Sequence, residues 1–143
     1  MVDLAEQVID EVSRSVQSEG WVFNSEYSYP FSPDINQEIL IPDNLLSLDV
    51  DRMDNSIDPV IRGRKLYDKR NHTFKFSSDQ KLNVVWLIDF EDLPEVFRSY
   101  IAIRAANLFA ARSTGSVEIT KYSEREEAAL RAAVMEYETQ QGD

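Results

Sequence analysis

The sequence contains no cysteine, and that absence removes disulfides, thiolate nucleophiles and cysteine-based zinc sites together. Histidine is nearly absent too. His72 stands alone, so no Cys/His dyad and no histidine metal cluster can form, and it reads as an ordinary surface or turn residue. The four glycines, at positions 20, 63, 115 and 142, each mark a break or an end, which excludes a glycine-rich phosphate loop. No long apolar run exists: the longest, Val84 to Ile88, is far too short to span a bilayer. The N-terminus is acidic and amphipathic, not basic and then apolar, so no secretory signal is expected. A soluble chain that folds in a cytoplasm is anticipated. The formal glycosylation sequon Asn71-His72-Thr73 is then inert.

Positive charge is also scarce, with 15 Lys and Arg against 26 Asp and Glu and a net charge of −11. Its placement is uneven. Residues 60–81 hold seven basic side chains (Arg62, Arg64, Lys65, Lys69, Arg70, Lys75 and Lys81) against Asp68 and Asp79, a local excess within an otherwise acidic chain. Such a chain repels nucleic acid on average, yet one basic patch can still face a phosphate or an acidic partner.

What is present is a core-forming composition. Hydrophobic residues make up 43% of 143, enough for one folded domain. The most informative stretch is Glu91 to Arg112. Asp92 and Glu95 have capping-box spacing and Pro94 suits a first helical turn. Phe97, Ile101 and Leu108 then form one stripe, Val96, Tyr100 and Ile103 lie beside it, and Ala102, Ala106 and Ala110 cover the back. A helix apolar or small on nearly every side is expected to be central. Burying Phe97, Ile101 or Leu108 contributes roughly 1.5–3 kcal/mol each.

The remaining pattern predicts an α+β fold. Residues 2–19 form an amphipathic helix with Val2, Ala5, Val8, Ile9, Val12 and Val16 on one arc, stopped by Gly20. Trp21 and Phe23 begin a period-two pattern, and Pro30 and Pro33 suit a loop or an edge strand. Five to six short, mainly antiparallel strands are expected up to Phe90: Glu38–Ile41, a strand through Leu46, Leu48 and Val50, Val60–Arg62, Lys65–Tyr67, Thr73–Phe76, and a central strand Leu82–Phe90. Residues 51–58 read as a polar loop. Ser113 to Ser116 breaks the chain, Val117–Ile119 is a short extended link, and a last helix starts at the Ser123/Glu126 capping box with Leu130, Ala133, Val134 and Tyr137 as its stripe.

No catalytic constellation survives inspection, and no cofactor is implied. Asp49 to Val60 fails as a calcium loop, because Met53, Asp54 and Val60 occupy the positions that need an oxygen ligand, glycine and glutamate. Asp89, Glu91, Asp92 and Glu95 sit where a helix start favours acids, so capping explains them better than acid–base chemistry. The basic segment interleaves Tyr67, His72, Phe74 and Phe76. Alternation puts Phe74 and Phe76 on one strand face, more suited to a core than to base stacking. A charged protein contact through Arg62, Arg64, Lys65, Lys69 and Arg70 and a nucleic-acid contact both remain open.

The order of motifs adds a family resemblance. Ser18-Glu-Gly-Trp-Val-Phe-Asn24 closes the first helix. Ile41-Pro-Asp-Asn-Leu-Leu-Ser-Leu-Asp49 and Arg62-Gly-Arg-Lys-Leu-Tyr-Asp68 follow. Asp89-Phe-Glu-Asp-Leu-Pro-Glu-Val-Phe-Arg-Ser-Tyr-Ile101, Arg104-Ala-Ala106 and Arg125-Glu-Glu-Ala-Ala129 complete the set. Across essentially the whole chain this resembles the tail tubular protein A family, adaptors of T7-like short-tailed phages. The resemblance implies a single adaptor-like unit, with a helical bundle (2–20 and 92–140) joined to a β part (21–90). It implies a non-enzymatic virion protein forming a ring of about twelve copies between the portal and the tail nozzle (tail tubular protein B), with double-stranded DNA passing through without sequence-specific binding. Assembly in the bacterial cytoplasm follows from it. Relative to that family the chain is expected to lack a first helix and a C-terminal tail, leaving Val8, Val12 and Val16 partly uncovered. The other reading is a nucleic-acid-binding module using residues 62–70.

Overall fold

The structure, a computed structural model, describes residues 3–51, 56–113 and 117–142. Its elements run α1 (Leu4–Gln17), β1 (Ser25–Phe31), β2 (Leu45–Asp49), β3 (Pro59–Arg62), β4 (Lys65–Asp68), β5 (Gln80–Trp86), α2 (Glu95–Ser113) and α3 (Val117–Gln141). Two short 3-10 turns, Val22–Asn24 and Phe90–Asp92, lie between them. The class is α+β, with one helix, a block of antiparallel strands and two further helices. The expected position Val2, the 52–55 part of the polar loop and the Thr114–Ser116 break lie outside the described residues. The chain forms two compact units, Met1–Phe23 with Ile88–Asp143 and Asn24–Leu87.

In the helical unit α1 begins at Asp3, whose Oδ1 accepts the Ala5 N–H at 3.3 Å, satisfying one of the unpaired donors at a helix start. It ends before Gly20, which has φ 79°, the left-handed geometry glycine adopts without strain. Val8, Val12 and Val16 are buried in one core with Trp21, Leu93, Phe97, Tyr100, Ile101, Ala105 and Val134. The stripe expected to be partly uncovered is therefore covered within the unit. α2 supplies the middle of this core and packs against both α1 and α3, the place its all-round apolar surface predicts.

Several boundaries differ from the expectation. Trp21 and Phe23 do not start a strand: the chain turns through 3-10 geometry at Val22–Asn24, and both rings meet Phe97, at 5.0 and 4.6 Å between centroids. The Asp92/Glu95 capping box does not start α2 either. Leu93 is extended (φ −73°, ψ 152°) and buried in the core, so the helix begins only beyond it, and the Pro94 carbonyl accepts from Phe97 and Arg98. The segment 117–119 is helical rather than extended, and Ser123 and Glu126 lie inside α3.

In the β unit the three-stranded sheet has the order β1-β5-β2. β5 is central, as its apolar run predicts, although it ends at Trp86 and Phe90 belongs to a 3-10 turn. Pro30 sits on the edge strand β1, where its missing donor breaks no ladder. β3 and β4 form a separate hairpin. Glu38–Ile41 and Thr73–Phe76 are not strands; they make the isolated bridges Glu38↔Lys75, Leu40↔Lys65 and Asp68↔Thr73. Phe31, Ile39, Ile41, Leu45, Leu66, Phe76, Leu82 and Val84 form the core.

Candidate functional site

The basic segment is built on the β3–β4 hairpin. Its connection is the two-residue loop Gly63-Arg64, with φ 60° and 64°, the sign required at both central positions of the tight turn that matches strand twist. Arg64 is held there by its backbone, whose carbonyl accepts the Ile41 N–H at 2.8 Å, while its side chain pairs with Asp43. That pair is open to water, with the two side chains 72% and 75% exposed.

Register decides which side chains share a face. Arg62 lies opposite Lys65 and Val60 opposite Tyr67, while Ile61 faces Leu66 and Pro59 faces Asp68. The second set carries Leu66 and Asp68 inward, and both are buried. On the first, the Arg62 guanidinium stacks 4.1 Å above the Tyr67 ring. Lys65 Nζ donates to both Glu38 oxygens at 3.2 and 3.3 Å. Phe74 packs edge-on to Tyr67 at 4.7 Å, outside the core that Phe76 enters. The expectation that these two phenylalanines share a strand face is corrected, because no strand spans them.

At the other end of β4 the organiser is Asp68, only 2% exposed. Its Oδ1 accepts the N–H groups of Asp58, Arg70 and Asn71 at 3.1, 2.9 and 3.3 Å, and its Oδ2 accepts Asn71 Nδ2 at 2.6 Å. Burial pushes the carboxyl upward, but the Asn71 side chain and the three backbone donors outweigh it and hold the group below the ordinary carboxylate range. This carboxylate shapes the loop that displays Lys69 and Arg70, both exposed.

The five basic residues lie at the two ends of one short strand. β4 spans four residues, about 3.4 Å each, and separates Arg62, Arg64 and Lys65 at the turn from Lys69 and Arg70 at the far end. The first three are engaged by Tyr67, Asp43 and Glu38. The Lys69 and Arg70 side chains have no partner among the described residues. Pairing was invisible in sequence because Glu38 and Asp43 come from a segment more than twenty positions earlier.

Among the described residues no other group of side chains assembles into a chemical centre. Asp89, Glu91, Asp92 and Glu95 are all exposed, and His72 is an exposed turn residue with φ 56°. Among the described residues no group of three or more His, Asp or Glu side chains is placed to hold a metal ion. A cleft of about 340 Å³ is lined in part by Glu11, Ser15, Arg104, Asn107 and Glu127. Four of its polar side chains are engaged: Glu11 with Arg112, Asn107 with Glu127, and Arg104 with the Tyr100 hydroxyl. Among the described residues no helix is long and apolar enough to cross a membrane.

Compared with known proteins, residues 1–143 match the family model Tube, described as tail tubular protein. No curated protein matches the chain.

Proposed function

The chain belongs to the tail tubular protein family, structural components of the phage tail, and from that membership we propose that it is a head-to-tail adaptor. In this reading copies form a ring of about a dozen between portal and tail nozzle, part of the conduit for double-stranded DNA, assembled in the bacterial cytoplasm. The observation that carries it is the extent of the match, which spans both compact units.

Charge supports the conduit. The residues of the helical unit include sixteen Asp and Glu against seven Lys and Arg, and an acidic wall keeps DNA phosphates from adhering. The basic residues Lys69 and Arg70 supply a contact to an acidic surface of a neighbouring protein in the tail. Of the five basic residues they are the pair whose side chains have no partner among the described residues. The nucleic-acid-binding reading gains little from the hairpin, since three of its five cations already have partners.

Light scattering across a concentration series, with electron microscopy of the largest species, tests the proposal. A closed ring is expected. Lys69→Glu with Arg70→Glu should reduce incorporation into tails while the far-ultraviolet circular dichroism stays unchanged. A chain that neither forms rings nor binds a portal, yet holds DNA with steep salt dependence, would reverse the order of the two readings.

A further inference from the structure

We infer that Ile35 of one copy docks into the hollow beside the Gly63-Arg64 turn of the next, a contact that rests on the ring reading above and gives it a surface. The Asp34–Glu38 turn is closed on every side by hydrogen bonds. Asp34 Oδ1 accepts the Asn36 and Glu38 N–H groups at 2.8 and 3.0 Å. Its carbonyl accepts Gln37 N–H at 2.9 Å, and its own N–H donates to the Glu38 carbonyl at 2.8 Å. Lys75 Nζ donates to the Asn36 carbonyl at 2.7 Å, and the Phe76 N–H to that of Gln37 at 2.8 Å. What this fixed loop presents is Ile35, 98% exposed. A β-branched apolar side chain adds nothing to such a turn, where asparagine or glycine is the ordinary choice.

The same unit carries a receptor of matching character. Ile41, Pro42, Leu45 and Ile61 line a hollow with Asp43 and Arg64 at its rim. Ile61 is 40% exposed there. Knob and hollow do not meet within one chain. Ile35 is left in solvent, and the bridges of Glu38 and Leu40 to Lys75 and Lys65 hold the run from Glu38 to Ile41 extended, up to about 10 Å at roughly 3.3–3.6 Å per residue. Two different, complementary patches on one chain join copies head to tail, and such a contact closes into a ring when the rotation allows.

Charge selects a second copy as the occupant. Beside the knob stand Asp34 and Lys75; at the rim of the hollow stand Arg64 and Asp43. Apposed crosswise, Asp34 meets Arg64 and Lys75 meets Asp43. The Arg64–Asp43 pair, three-quarters exposed, contributes little where it is and can exchange partners.

The cysteine-free chain makes the test direct. Chains carrying only Ile35→Cys and chains carrying only Ile61→Cys are mixed and treated with a short bis-maleimide. The 35–61 product should exceed both homodimers, and the double variant should give a ladder. Ile35→Asp should weaken association about ten- to hundredfold with an unchanged melting profile, since Ile35 is almost wholly in solvent. If the unaltered chain forms rings but Ile35→Asp forms them equally well, or the homodimers equal the mixed product, this contact is wrong and the ring stands. If the unaltered chain stays monomeric throughout, this contact is wrong, and if it also fails to bind a portal the ring reading falls with it.

Discussion

In the helical unit apolar side chains converge on one ring. Phe97 touches Trp21, Phe23 and Tyr137 at centroid distances of 5.0, 4.6 and 6.0 Å, and few polar side chains are buried with it. The Gln17 amide exchanges two hydrogen bonds with the Ile88 backbone at 3.0 and 2.8 Å. Arg131 grips Glu19 at 2.7 and 2.8 Å while lying 5.2 Å over Trp21, so the Glu19 carboxyl is held below its ordinary range by that guanidinium. The β unit is put together differently. Its strands are short, two of its segments pair only through single bridges, and its shape is fixed by turns centred on Asp34, Arg64 and Asp68. One unit is positioned by volume, the other by hydrogen-bond geometry.

The strongest test of that contrast is Phe97→Ala. Truncating a wholly buried aromatic side chain at the centre of a cluster costs about 3–5 kcal/mol. Urea unfolding followed through Trp21 fluorescence, with Trp86 replaced by Phe, should show the midpoint fall steeply. Hydrogen exchange at β5 amides should change far less than at α2 amides. Equal acceleration in both would mean the units unfold as one, and the comparison would lose its energetic meaning.

A smaller effect is expected at Asp68, from the opposite mechanism. Asp68→Ala removes little volume but leaves the Asp58, Arg70 and Asn71 N–H groups without their acceptor, costing about 2–3 kcal/mol. Acid should reproduce part of this. The folded pKa lies below the ordinary value of 3.8, so its stabilisation is complete above that value and is lost as pH falls through the lower, folded pKa. Stability of the unaltered β unit should therefore decline below about pH 4, and Asp68→Ala should remove that part of the slope. An unchanged acid dependence in the variant would show that the carboxylate does not govern the turn.

The same contrast explains what the sequence discloses. Apolar periodicity writes α1, α2 and β5 plainly, because volume-driven packing needs a repeating stripe: Val8, Val12 and Val16 lie where their spacing says. Geometry set by single polar groups leaves no period. Glu38–Ile41 and Thr73–Phe76 have strand-like composition, yet the Asp34 and Asp68 turns dictate that they touch their neighbours only at single bridges. Leu93 shows the limit at a helix start, since a buried leucine in extended backbone overrides the capping spacing of Asp92 and Glu95. Trp21 and Phe23 show it for period two, which a three-residue 3-10 turn imitates. Of the candidate site, the basic residues were legible. Their division into two ends, and the partners of Arg62, Arg64 and Lys65, depend on strand register and on contacts distant in sequence.

Arg64→Gly should have the smallest effect and is the most discriminating about the β unit. At φ 64° a side-chain-bearing residue pays about 1–2 kcal/mol that glycine does not. Glycine in turn loses about 0.5–1 kcal/mol through the freedom of its unfolded chain, and an exposed pair with Asp43 is worth about 0–1 kcal/mol. The net expectation is a change within about 1 kcal/mol, with the hairpin held at least as firmly, because the Ile41 N–H bonds a backbone carbonyl that glycine retains. Arg64→Val, which forces a branched side chain into the same left-handed geometry, should instead destabilise it clearly in thermal unfolding. If glycine proves the more damaging of the two, the ion pair rather than the turn holds this end of the unit, and the β unit is secured by side chains after all. Should the hairpin stay firm while association between copies weakens, the arginine is kept at a strained position for the neighbour it meets.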